Sequence, residues 1–75
     1  MKLPEQLNEG NHVIAVDKEN YITFHLEFKT PEEAHENFKY QLKTYRELKK
    51  SVPHIRDLKY VIRIRWGQIM AMEEI

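Results

Sequence analysis

Thr30-Pro31-Glu32-Glu33 spells the start of a helix, and what that helix can cover constrains the rest of the fold. The Thr30 hydroxyl can cap the first turn, proline suits the first helical position, and Glu33 stands where a capping box needs a carboxylate. Glu32, Glu33 and Glu36 gather at the start, and Arg46, Lys49 and Lys50 at the end, so both ends complement the helix dipole. Ala34, Phe38, Leu42, Tyr45 and Leu48 recur at helical spacing and make a single apolar stripe. The pattern predicts a helix over 30–50, stopped by Pro53. No other segment reads as a long helix, so a sheet packed on this stripe has only one side covered by it.

The flanking segments have the period of strands. Tyr21 to Phe28 alternates Ile22, Phe24, Leu26 and Phe28 with Tyr21, Thr23, His25 and Glu27. His12 to Asp17 precedes it across Lys18-Glu19-Asn20, and a loop of that length sets Val16 opposite Ile22 and Ile14 opposite Phe24. Asn20 suits the left-handed position such a loop contains. After the helix, Tyr60, Ile62, Ile64 and Trp66 alternate with Lys59, Val61, Arg63 and Arg65. Gly67-Gln68 then resembles a two-residue hairpin turn, which would pair Trp66 with Ile69 and leave Met70 and Met72 beside Arg65 and Arg63. Residues 69–75 also have fair helix propensity; the strand reading is preferred.

The order β-β-α-β(-β) predicts an α+β fold, with one long helix on one face of a mostly antiparallel sheet of strand order 2-1-3-4. Val13-Ile14-Ala15-Val16 is apolar on both faces, as a central strand is. Residues 1–11 read as a lead-in, with Pro4 opening a short turn and Gly10 closing it, and 12–75 as a single domain. The chain has 75 residues and no cysteine, so packing or association must supply its stability. The first residues lack the apolar run of a secretory signal, and no stretch approaches a membrane span, so a cytoplasmic location without membrane contact is expected.

The helix is expected to meet Ile14, Val16, Ile22, Phe24, Leu26, Ile62, Ile64 and Trp66. Phe38 and Trp66 should bury against each other's elements. The opposite face would then carry Val13, Tyr21, Thr23, His25, Val61, Arg63 and Arg65, joined by Met70 and Met72. Valine, methionine, tyrosine and arginine on an uncovered sheet resemble the make-up of interface cores. These residues are the expected partner-binding set, for another protein or a second copy of the chain. Val61→Glu with Arg63→Glu should then abolish binding and spare folding.

Other chemistries are less well supported. Twelve basic and twelve acidic side chains cancel, so no general attraction to nucleic acid is expected. Tyr21, Lys59, Arg63 and Arg65 still make an aromatic and basic set suited to RNA or DNA. No metal or other cofactor is expected: four histidines are scattered, and the predicted register puts His12 and His25 on opposite faces. Ser51 is the only serine, and His54 with Asp57 is an ordinary loop pair. His25 and Glu27 lie two residues apart on one face, enough for acid–base cleavage of RNA by a small toxin-like nuclease. A non-catalytic interaction module (an inhibitor, adaptor or regulatory subunit) ranks first, a nucleic-acid binder second, and the nuclease third.

Overall fold

The computed structural model describes residues 3–52, 55 and 57–75. The expected stop at Pro53, and His54 of the His54–Asp57 pair, therefore lie outside the described residues. After a 3-10 turn, Glu5–Leu7, come β1 (Asn11–Asp17), β2 (Ile22–Phe28), α1 (Pro31–Ser51), β3 (Leu58–Arg65) and β4 (Gln68–Glu74). All neighbouring strands are antiparallel, in the order β2-β1-β3-β4. The fold is the α+β arrangement expected, and residues 68–74 form a strand.

Local chemistry explains the element ends. The Thr30 hydroxyl accepts from the Glu33 amide at 3.2 Å and donates to the Glu33 carboxylate at 3.3 Å. In the β1–β2 loop the Asp17 carboxylate accepts from the Glu19 and Tyr21 amides, and Asn20 takes the left-handed conformation with φ 68°.

Each central strand is buried on both sides, but the two covers differ from those the sequence suggests. The helix packs Ala34, Phe38, Leu42 and Tyr45 against Val13, Val61, Phe24, Phe28, Ala71 and Ile75. On the other side Ile14, Val16, Ile62 and Ile64 lie beneath Leu7, with Leu3 and Tyr60 alongside. The expected helix face is thus inverted for Ile14, Val16, Ile62 and Ile64. Steric fit gives the reason. Small side chains at Val13, Ala15, Val61 and Ala71 let a thick helix with large aromatic residues come close, while the isoleucines need only the thin N-terminal arm. The arm, residues 3–10 of the expected lead-in, is the second layer over the sheet.

A bulge explains why the register misleads. Val16 does lie opposite Ile22, but Ala15, not Ile14, lies opposite Phe24, and Ile14 lies opposite His25. One extra residue, Thr23, changes the face of everything beyond it in β2. Phe24 and Phe28 consequently turn to the helix, and His25 and Glu27 to the arm side. A second bulge at Met70 puts Ile69 opposite Ile64, Ala71 opposite Arg63 and Met72 opposite Ile62. The expected pairing of Trp66 with Ile69, and of Met70 and Met72 with the arginines, does not occur.

Candidate functional site: an apolar edge and a histidine pair

The β3–β4 turn is Trp66-Gly67 and not Gly67-Gln68. Both residues have positive φ, 51° and 76°, which is the type I′ pattern, and Arg65 pairs directly with Gln68. Glycine takes this conformation freely, but tryptophan does so at a cost of roughly 1–2 kcal/mol. The turn is fixed from the arm side: the Trp66 amide donates to the Gly10 carbonyl at 3.0 Å, and the Gly67 amide to the Leu7 carbonyl at 2.9 Å. The indole is thrown outward, 61% exposed, so the expectation that Trp66 is buried against α1 is overturned.

Beside that turn runs an edge strand with an apolar outer lining. Ile69, Met70 and Met72 of β4 are each close to half exposed. Strand β4 pairs only with β3, so its outer backbone donors and acceptors are not used by the sheet. On the β1–β2 side of Trp66 a depression of about 550 Å³ is lined by Gly10, Asn11, Glu27, Phe28 and Lys29 as well as the indole. Asn11 is buried there, and its Oδ1 has no hydrogen-bond donor among the described residues.

The other expected contact residues scatter. Val13 and Val61 are fully buried beneath the helix and cannot meet a partner. Arg63 shares the face of Ala71, borders Glu32, His35 and Glu36 of α1, and keeps its Nε buried without an acceptor among the described residues. Thr23 sits in the bulge and donates to the Ala15 carbonyl at 3.2 Å. Tyr21 is exposed at the β1–β2 turn, and Arg65 is exposed at the far end of β3. Of the expected set, Met70 and Met72 fall on the apolar edge. Trp66 and Ile69 were missed as surface residues, and the mixed Trp-Gly dipeptide was the available signal.

The nucleic-acid set is not brought together. Lys59 and Arg65 stand at opposite ends of β3, on the order of 20 Å apart at strand rise. Tyr21 lies at the Lys59 end, and Arg63 on the helix side.

The histidines, by contrast, converge. His12 is buried, and its Nδ1 lies 2.8 Å from Nε2 of His25, although the sequence register put the two rings on opposite faces. The bulge at Thr23 again made the difference. His12 Nε2 donates to the backbone carbonyl of Glu9. A carbonyl only accepts, so that nitrogen holds the proton of neutral His12, and Nδ1 accepts from His25 Nε2–H. His25 Nδ1 carries the remaining lone pair. Burial first and neighbouring His12 second hold His25 below the usual histidine range, with Glu27 pulling it the other way.

Among the described residues, no three His, Cys, Asp or Glu side chains are grouped to hold a metal. No described helix is long and apolar enough to cross a membrane. Comparison with family models, curated proteins and solved structures found no match.

Proposed function

We propose that this chain is a non-catalytic protein-interaction module that docks an extended segment of a partner along β4 and the Trp66 turn. The observation that carries this reading is Trp66 itself. A large aromatic side chain is held outward at positive φ, where asparagine or glycine would fit with less strain, and local strain of that kind concentrates at functional positions. Ile69, Met70 and Met72 continue the apolar strip along an open strand edge. Tryptophan anchors and adaptable methionines suit such an interface, and main-chain pairing along the edge would add affinity.

Trp66→Asn tests this directly. The variant should fold and melt no lower than the parent, because asparagine tolerates the left-handed region. Complex formation should fall by tenfold or more, read by quantitative capture of binding proteins with parent and variant side by side and by size measurement for self-association. Ile69→Lys with Met72→Lys should reproduce the loss. Unchanged complexes in both variants would place the contact surface elsewhere.

Acid–base chemistry at His25 is the second reading, favoured by its oriented ring and free Nδ1 on the same face as Glu27. The depression that Glu27 borders is not lined by His25, and the proposed module does not use the ring. Purified protein should leave a fluorescent RNA intact, and His25→Ala should change nothing. RNA hydrolysis that disappears in His25→Ala at unchanged stability would put the nuclease first.

A further inference from the structure

The arm over the second sheet face is held by contacts of different kinds. Leu7 is buried on Ile14, Val16, Ile62 and Ile64, and backbone bonds join Leu7 and Gly10 to the β3–β4 turn. The bond from His12 to the Glu9 carbonyl is the one whose ring also depends on a proton count. We propose that the His12–His25 pair is an acid-sensitive latch, whose double protonation frees the arm and bares the isoleucine face of the sheet.

One proton does not open the pair. An imidazolium at His25 still donates Nε2–H to neutral His12, and Glu27, on the same side of the sheet, offsets its charge. The second proton must go onto His12 Nδ1. Both nitrogens of the 2.8 Å contact then carry hydrogen, no acceptor stands between them, and two positive rings adjoin, one of them fully buried. The rings must part. His25, exposed on the edge strand, can turn into water. His12 is then left between the sheet and the arm as a buried cation whose Nδ1–H has no acceptor, and hydrating it lifts the arm and breaks the Glu9 contact.

The surroundings do not offer another way to keep the rings together. From the arm Glu9 meets His12 through its backbone carbonyl, and Glu27 lies opposite His12 on β2. On β3 its neighbour is Ile64, while Arg63 and Arg65 lie opposite Val13 and Asn11, on the helix side. The Glu27 carboxylate favours proton uptake at His25 but cannot supply an acceptor between the two rings. Because His25 is held below its usual range, the folded chain binds fewer protons there than the unfolded chain. Stability from this group is therefore complete above about pH 6.5 and declines as the pH falls.

Release would widen the apolar edge. Ile62 lies opposite Met72 and Ile64 opposite Ile69, so the bared face joins the β4 strip without a gap. The latch itself does not rest on that strip being a docking site, and it is tested on the isolated chain.

The test is amide hydrogen exchange by NMR, corrected for the intrinsic effect of pH, between about pH 7.5 and about pH 5. Protection of the Trp66 and Gly67 amides, which bond to the arm, should fall about tenfold or more, a proton-linked change of at least one pH unit's worth. Central amides of β1 and β3 should keep theirs. In His25→Gln the side-chain amide can donate to or accept from His12, so Trp66 and Gly67 should stay protected at the lower pH. Constant protection in the parent chain overturns the latch. So does an equal loss in His25→Gln, or a loss shared by the whole sheet.

Discussion

Val61→Glu is expected to unfold this protein at neutral pH, the reverse of what its place in the sequence suggests. Val61 alternates with Lys59 and Arg63 and reads as part of an open face, yet it is fully buried between β1 and the helix, in contact with the Phe38 cluster. Arg63 lies two residues along the same face, but pairing with it would still bury the carboxylate. Burying the charge, or taking up a proton to avoid it, should cost about 4–5 kcal/mol or more. A domain of this size has only about 3–5 kcal/mol to lose. Loss of the cooperative urea transition and of near-ultraviolet circular dichroism is the expected observation. Met72→Glu is the matched control, since Met72 is almost half exposed, and it should cost under about 1 kcal/mol. A folded, cooperative Val61→Glu would return the helix to the isoleucine face.

The elements of this fold were legible because local chemistry specifies them. Thr30, Pro31 and Glu33 mark the helix start by hydrogen bonding and fixed φ, and the structure contains that cap. Strand order was legible in part from Val13-Ile14-Ala15-Val16, which is apolar on both faces as a central strand is, although the cover on the second face was not foreseen. Which face met the helix was not legible. Thr23 is an ordinary strand residue in sequence, but as a bulge it shifts the parity of β2, moves His25 beside His12, and turns Phe24 toward Tyr45. Parity is a global property of pairing, and a single extra residue reverses it without leaving a compositional mark.

The surface was misread for a related reason. Trp66 continues the period-two pattern of Tyr60, Ile62 and Ile64, and tryptophan is a poor choice for a left-handed turn, so burial was the natural expectation. The backbone resolves the conflict between local preference and tertiary contact in favour of the arm, whose Leu7 and Gly10 carbonyls take the two turn amides. Conflicts of this kind between local rule and structure are where functional residues tend to be found. The arm had its own local signals in Pro4 and Gly10, but burial of Leu7 depends on isoleucines far along the chain.

Phe38→Ala against Trp66→Ala separates these two aromatic positions, which the sequence placed together. Phe38 is buried on the helix face with Ala34 before it and Val13 and Val61 beneath it. Removing its ring leaves a cavity between a rigid helix and a sheet that cannot close around it, at a cost of about 3–5 kcal/mol. That is comparable to the whole stability of the domain, so the variant should be largely unfolded at room temperature. Trp66 has most of its surface in water and occupies a strained turn position. Its replacement by alanine removes little buried area and should shift stability by less than about 1 kcal/mol. Urea melts of both variants, followed by far-ultraviolet circular dichroism because Trp66 is the chain's single tryptophan, give the comparison. Equal losses would mean that Trp66 packs as a core residue. The large gap expected would instead leave its indole free for a partner, with α1 fastened to the sheet through Phe38.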